Sequence, residues 1–293
     1  MTMEWILFTV LAASSQAWRN AFQSRLSQTL NVSGVTLARF LWASPLALVY
    51  LFCLYQYQDA PMPTFTGHSY FFLAGASIMQ IVATGLMVVL FKQRNFAIGA
   101  GLAKSEAPVS ALLGMLFFGT SLTLLGWVGV AFGMIAVFLL SCANGVRSVS
   151  LKTASIGLAC STAFALTSLW IREASLSLNL PFPHSAAWVL FIVILTQTLL
   201  LLTYLLLKDR DTLKLMFTKP KLVIMTSIAS FVGSLGWFSA MSLQAVPYVK
   251  TLGQIEVFFT MLISIFWLKE PVKNKDMLAL FFIAIAAIMV MWQ

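Results

Sequence analysis

The stretch GLAKSEAPVSALLG, residues 101–114, places two charged side chains inside an apolar segment that is long enough to cross a bilayer. Lys104 and Glu106 would lie at membrane depth there, where one charge costs about 2.5–3.5 kcal/mol on insertion scales. Charged residues in membrane helices almost always face the interior of the helix bundle or a water-filled cavity. The stretch therefore predicts a membrane helix that lines a polar interior.

The composition of the whole chain agrees with this interpretation. Of its 293 residues, 60% are hydrophobic and 9% are charged, and the mean hydropathy is +0.92. A soluble domain carries about 25% charged residues, so these few charges do not suffice for a water-soluble surface. The net charge of +9 resides mainly in short connections, where basic residues set membrane orientation rather than bind nucleic acid. The three cysteines lack metal-ligand spacing, and we predict neither a metal nor a cofactor.

Ten apolar segments follow one another, and each has a length that suits a membrane helix. They cover approximately residues 4–24, 32–56, 69–91, 96–118, 121–142, 153–175, 186–207, 221–243, 247–267 and 275–292. The connections are too short to hold a soluble domain. The predicted fold class is an all-α polytopic membrane protein.

Basic residues are distributed unevenly between the two sets of connections. The connections after the odd-numbered spans hold thirteen Lys or Arg residues, whereas the opposite side holds only Arg172. Positive residues favour the cytoplasmic side. We therefore expect an integral protein of the bacterial inner membrane with both termini outside the cytoplasm.

Weak internal similarity divides the chain into two halves. A shift of 150 residues aligns Glu106 with Glu256, and a shift of 147 aligns residues 11–15 with residues 158–162. Five spans in each half is an odd number, so the second half would be inverted relative to the first. The ten helices are thus predicted to form two inverted five-helix repeats, 1–146 and 147–293, around a central cavity. One chain supplies both repeats, which favours a monomer.

Glu106 and Glu256 are the leading candidate site residues, because both are predicted to lie near the bilayer centre. Each has a polar residue two positions earlier, Lys104 and Gln254, which points to another side of the helix. Further candidates are the polar and aromatic residues Trp18, Arg19, Asn20, Arg39, Gln80, Thr84, Thr167, Trp170, Ser234, Trp237 and Lys250. The alternatives are an interhelical hydrogen bond for either carboxyl group and extension to the membrane surface for Arg19 and Lys250.

Three segments carry a resemblance to a known family. Two segments resemble the ends of the two halves of an EamA-type transporter. They are PVSALLGMLFFGTSLTLLGWVGVAFGMIAVFLL (108–140) and IEVFFTMLISIFWLKEPVKNKDMLALFFIAIAAIMV (255–290). The segment ARFLWASPLAL (38–48) is similar to the start of the second helix in this branch of the drug/metabolite transporter superfamily. Thr120 replaces the glutamate that the family pattern has in the first half, where the second half keeps Glu270, and Val257 replaces a proline. The resemblance implies a carrier of small organic molecules with a central cavity.

The residues and the resemblance together predict a secondary active transporter rather than an enzyme. Glu106 or Glu256 would bind an amino group or exchange a proton, and Lys104, Arg39 or Arg19 would bind a carboxylate. The predicted solute is a small polar or zwitterionic, amino-acid-like metabolite, exported by alternating access. The alternatives are a polyspecific exporter of drugs or cations and, more distantly, a membrane-embedded enzyme.

Overall fold

The computed structural model describes residues 3–92, 105–142, 151–263, 265–266 and 274–292, and these residues are predominantly helical. The α-helices are α1 Glu4–Leu26, α2 Val32–Phe40, α3 Ala43–Tyr57, α4 Gly67–Phe91, α5 Glu106–Phe118, α6 Leu124–Cys142, α7 Leu151–Ser177, α8 His184–Lys208, α9 Arg210–Phe217, α10 Pro220–Leu243, α11 Val246–Leu252, α12 Glu256–Ile263 and α13 Asn274–Met291. A short 3-10 helix, Gly253–Ile255, connects α11 to α12.

Polar side chains and one glycine set several helix ends. The Asn31 side chain accepts a hydrogen bond from the Gly34 backbone N–H at 2.8 Å and so caps the start of α2. Thr66 and Ser69 cap the start of α4 reciprocally, each accepting a hydrogen bond from the backbone N–H of the other. Gly119, with φ of 62°, ends α5 in the left-handed conformation that glycine adopts without steric cost.

The second predicted span, Val32–Tyr57, is divided into α2 and α3 by a turn just before Pro45. Proline has no backbone N–H and interrupts the regular helical hydrogen bonds. Ser227 of α10 compensates for this interruption, since its hydroxyl accepts a hydrogen bond from the Trp42 N–H at 3.2 Å and donates one to the Ala38 carbonyl at 2.7 Å. The exposed backbone groups are thus satisfied inside the protein, as the membrane interior requires.

The ninth predicted span is also interrupted, between α11 and α12. The Trp237 indole packs directly on Gly253, where a Cβ atom would lie 2.3 Å from the ring. Glu256 follows at the start of α12 and is buried. The interruption therefore brings a bulky aromatic side chain and a buried carboxyl group to the middle of one predicted span.

The helices of the two halves pack against each other reciprocally. α1 packs on α10, and α4 packs on α7, so that the first predicted span of each half contacts the third of the other. α3 packs on α8, and α6 packs on α13, which joins the second spans and the fifth spans. The core lies along these interfaces and includes the buried side chains of Phe40 and Phe238.

Five of the described segments are long and apolar enough to cross a membrane by length and composition: Val32–Tyr57, Gly67–Phe91, Leu151–Ser177, His184–Lys208 and Pro220–Leu243. Large apolar side chains such as Phe52 and Leu207 are exposed on the outside of the bundle, as lipid contact requires. In the part of the chain that the structure describes, the protein is an all-helical integral membrane protein. The number of ten spans and the inverted arrangement of the repeats stay predictions.

Candidate functional site

A small polar cavity lies in the middle of the bundle, between helices from both halves of the chain. The centres of water-sized molecules can occupy about 40 Å³ of this cavity. By the same measure, one buried water requires about 10–15 Å³. It is lined by Gln16, Arg19, Arg39, Gln80, Met87, Glu106, Phe164, Thr167, Ser168, Ile171, Ser234, Trp237, Phe238, Met241 and Lys250. A few water molecules fit in this space, but an organic molecule does not.

Lys250 and Glu106 form an ion pair across the cavity. The Lys250 Nζ lies 2.8 Å from Glu106 Oε1, and the two side chains are only 10% and 17% exposed. The Ser168 hydroxyl donates a second hydrogen bond to the same carboxylate oxygen, also at 2.8 Å. The Lys250 ammonium lies 4.2 Å from the centre of the Trp237 ring, a favourable position for a cation–π interaction. The sequence-based alternative that Lys250 extends to the membrane surface is therefore wrong.

Glu256 is held by two amide side chains of α1. Gln16 Nε2 donates to Glu256 Oε2 at 2.5 Å, and Asn20 Nδ2 donates to Glu256 Oε1 at 2.8 Å. The Gln16 carbonyl oxygen accepts a hydrogen bond from the Trp237 indole N–H at 2.9 Å. A continuous chain of polar contacts therefore runs from Glu256 through Gln16, Trp237 and Lys250 to Glu106.

Two buried arginines form the other side of the cavity. Arg39 and Arg19 are 2% and 3% exposed. Arg39 Nη1 donates to the Thr84 hydroxyl at 2.6 Å, and Arg19 Nη2 donates to Asn20 Oδ1 at 3.1 Å. Arg39 Nε, Arg19 Nε and Arg19 Nη1 have no hydrogen-bond partner among the described residues. Buried guanidinium groups with unused donors are costly unless another group pairs with them.

The charges around the cavity do not balance. Arg19, Arg39 and Lys250 supply three positive charges, whereas Glu106 and Glu256 supply two negative charges when ionised. One of the positive charges is already neutralised by the ion pair with Glu106. An anionic group that entered the cavity would find unused N–H donors and a favourable net charge.

Several further predicted site residues also line this cavity. Gln80 accepts a hydrogen bond from Gln197 Nε2 at 2.6 Å, so a neighbouring helix fixes its orientation. The Thr167 hydroxyl donates to the Ala163 carbonyl at 2.8 Å. Ser234 lies on α10 next to the cavity, one turn before Trp237.

Other predicted site residues lie away from the cavity wall. The Gln254 amide lies against Gly133 of α6, where a Cβ atom would approach it to 2.7 Å. Trp170 packs on Gly75, and Trp18 is 42% exposed beside Phe22. Thr84 and Asn20 act through Arg39 and Glu256, whose side chains they contact. Lys104 lies outside the described residues.

Gln16 and Ser168 bind the two carboxyl groups directly, but neither is among the predicted site residues. Gln16 is one turn before Asn20, and that spacing places both amides on one face of a helix, which is the signal that identifies it. Ser168 carries no comparable signal, because serine is common in membrane helices where helices approach closely. Among the described residues, no group of three or more His, Cys, Asp or Glu side chains is arranged to hold a metal ion.

Comparison with known proteins finds a family resemblance over one part of the chain. Residues 151–292 match the model of the EamA-like transporter family. A solved structure titled only as the crystal structure of a protein has a TM-score of 0.71 and 12% sequence identity, and the match covers 99% of this chain and 96% of that chain. At this identity the likeness concerns the fold alone. No curated protein matches the chain. Residues 151–292 therefore resemble the EamA-like transporter family, which supports an EamA-type drug/metabolite transporter.

Proposed function

We propose that this protein is a secondary active transporter that exports a small polar or zwitterionic, amino-acid-like metabolite. The observation that carries the proposal is that two buried arginines with unused N–H donors and an ion-paired carboxylate line one cavity. A carboxylate of the solute would bind Arg19 and Arg39 through charge-assisted hydrogen bonds. Its amino group would compete with Lys250 for Glu106.

Alternating access by two inverted five-helix repeats, 1–146 and 147–293, would open this cavity to each side in turn. The reciprocal packing of α1 on α10 and of α4 on α7 supports this arrangement, because a two-fold related pair of repeats produces such an exchange. The small volume of the cavity supports a closed intermediate, which must widen before a solute enters. The protein would work as a monomer in the bacterial inner membrane, since both repeats belong to one chain.

Glu106 is the proposed coupling residue. It lines the cavity, whereas Glu256 is held between two amides beside it. A proton on Glu106 would break its ion pair with Lys250, and that change would link proton movement to the state of the cavity. Glu256 would instead position α1 against α12.

A polyspecific exporter of lipophilic cations is the competing function. Such an exporter requires a carboxylate that is available to the cation. Here Glu106 is paired with Lys250 and Ser168, and Glu256 accepts hydrogen bonds from Gln16 and Asn20. The positive balance of the cavity adds repulsion, which favours a solute with an anionic group.

The proposed function is tested by counterflow in sealed proteoliposomes that contain the purified protein. Amino acids, their decarboxylated amines and lipophilic cations are compared, each with and without a pH gradient. We expect exchange of one or a few amino-acid-like solutes and little exchange of the amines or cations. Preferred exchange of many lipophilic cations would contradict the proposal.

The Glu106→Gln and Glu256→Gln variants form a matched pair for the coupling step. We expect Glu106→Gln to remove the stimulation by the pH gradient and also to weaken solute exchange without a gradient, because the same carboxylate meets the solute amino group and pairs with Lys250. Glu256→Gln should retain the stimulation. If Glu106→Gln responds to the gradient as the unmodified protein does, Glu106 is not the coupling residue.

A further inference from the structure

A second polar pocket lies at one end of the bundle, where the end of α1 meets the start of α10. It has room for water-sized occupants in a volume of about 570 Å³, many times that of the central cavity. This is within the range of small-molecule sites, which is about 300–1,000 Å³. It shares no lining residue with the central cavity.

The lining of this end pocket combines positive charge, hydrogen-bonding groups and a small apolar surface. Arg25 and Lys219 supply two exposed cationic side chains from different helix ends. Polar side chains on the α1 side, Ser24, Gln28 and Thr29, lie beside them, and Leu222 contributes an apolar wall. Two cations and several donors converging on one pocket are suited to a phosphate group.

The end pocket also lies at the level of a membrane surface. α10 begins at Pro220 and belongs to a segment, Pro220–Leu243, that is long and apolar enough to cross a membrane. Lys219 therefore marks the boundary of a spanning helix. Leu222 lies one turn further into this helix, where lipid acyl chains begin.

The adjacent helix α9 has the features of a segment at the level of the lipid headgroups. Its residues Leu215 and Phe217 are 40% and 71% exposed, although they are apolar. Exposed basic residues flank it at Lys208 and Lys221. An exposed apolar face next to basic side chains is typical of helices that rest in the membrane interface.

Local acidic side chains are already engaged, which leaves the connection with a positive balance. Asp209 accepts hydrogen bonds from the Thr212 backbone N–H at 3.1 Å and from the Thr212 hydroxyl at 2.8 Å. Asp211 forms an ion pair with Lys214 at 3.2 Å. Basic residues still outnumber acidic ones in the connection 208–221, which favours an external anion.

We propose that the end pocket binds the phosphate of an anionic phospholipid headgroup, with an acyl chain lying along Leu222. Arg25 and Lys219 contact the phosphate, and the polar residues of α1 contact the glycerol or headgroup hydroxyls. A basic pocket between membrane helices is a known type of headgroup site. A soluble phosphate compound has the same recognition chemistry, and the test below separates the two sources.

The full-length protein is placed in nanodiscs that contain equal amounts of phosphatidylglycerol and phosphatidylcholine. Native mass spectrometry of the released protein then measures the ratio of the two lipids that remain bound. We expect a clear excess of phosphatidylglycerol. Since each basic residue near the surface contributes about fivefold in affinity for anionic lipid, Arg25→Gln with Lys219→Gln should lower the preference by about 25-fold. The control, Lys208→Gln with Lys221→Gln, removes two surface charges outside the pocket and should lower the preference much less, because these side chains do not line the pocket.

Two outcomes would overturn the proposal. One is a ratio close to one for the unmodified protein, a result that does not depend on any variant folding. The other is an equal loss of preference in the pocket variant and in the control, which would show general attraction to a basic surface. Addition of millimolar inorganic phosphate distinguishes the sources: bound phosphatidylglycerol should persist, and its displacement would contradict a lipid site.

Discussion

Lys250 connects the two acidic centres of the central cavity. It forms an ion pair with Glu106 and contacts the Trp237 ring, whose indole N–H binds Gln16 and, through it, Glu256. Its position on α11, immediately before the interrupted part of the ninth predicted span, makes this contact possible. One side chain therefore links residues from both halves of the chain.

Replacement of Lys250 alone should destabilise the protein strongly. Lys250→Met leaves the Glu106 carboxylate buried without its cation, and removal of one partner of a buried ion pair costs about 3–5 kcal/mol. The double variant Lys250→Met with Glu106→Gln removes both charges and should recover most of this loss. Thermal unfolding of the purified variants measures the effect. Equal stability of the single and double variants would show that the ion pair has no energetic role.

The interruptions in the predicted spans are the elements that shape the site. The turn between α2 and α3 places Arg39 at the cavity, and the 3-10 segment after α11 places Glu256 beside α1. Close approach of α1 and α10 at Gly236 brings Gln16 within reach of Trp237. The site thus depends on helix contacts as well as on the identity of its polar residues.

Gly236 and Gly233 on α10 provide a matched pair for testing this close approach. A Cβ atom at Gly236 would lie 2.6 Å from the Phe8 carbonyl oxygen, whereas at Gly233 the nearest atom is at an ordinary 3.5 Å. We expect Gly236→Ala to lower the free energy of unfolding by about 1–3 kcal/mol through overpacking. Gly233→Ala should be neutral or gain up to about 1 kcal/mol from helix propensity. Denaturation of both variants measures this difference, and equal stabilities would contradict it.

Sequence patterns predicted several of the described apolar segments but not the breaks inside them. Hydropathy indicates where a helix enters and leaves the apolar phase, so the predicted segment 221–243 corresponds closely to α10, Pro220–Leu243. It contains no information on a break such as Gly253–Ile255, which depends on the Trp237 ring packed against it. Pro45 was visible in the sequence, but the hydroxyl that satisfies the resulting turn, Ser227, lies far away in the chain.

The partners within the site were equally difficult to predict. Glu106, Arg19 and Arg39 stood out because charges are rare in membrane segments. Their contacts depend on helix rotation and on long-range packing, which a single sequence does not encode visibly. Depth alone leaves open whether Lys250 reaches the cavity or the membrane surface, and the packing of α11 on α5 brings it to Glu106.

At the level of the whole molecule, the reciprocal contacts between the halves are the main support for inverted repeats. The first predicted span of each half packs on the third of the other, and the second and fifth spans pack on their counterparts. The central cavity lies between these contacts. A relative movement of the halves would therefore change the shape of the cavity.

Accessibility labelling tests the predicted topology. In a background with Cys53, Cys142 and Cys160 replaced by serine, Asp59→Cys and Lys214→Cys are separated by five predicted spans and should lie on opposite sides. We expect an impermeant thiol reagent to label the first variant in intact cells and the second only after permeabilisation. The cysteine-free protein is the control for background. Labelling of both variants from the same side would contradict the span count.

The central claim is that the unused donors of Arg19 and Arg39 bind the anionic group of the solute. It is tested by comparing transport of the preferred solute with transport of its uncharged amide analogue, in the unmodified protein and in Arg39→Gln. A hydrogen bond to a charged group contributes about 1.5–3 kcal/mol, so Arg39→Gln should reduce the preference for the carboxylate by about 10- to 150-fold. Arg210→Gln, which removes an exposed charge outside the cavity, is the control and should keep the preference. An unchanged preference in Arg39→Gln, with the protein folded and still transporting, would contradict the account.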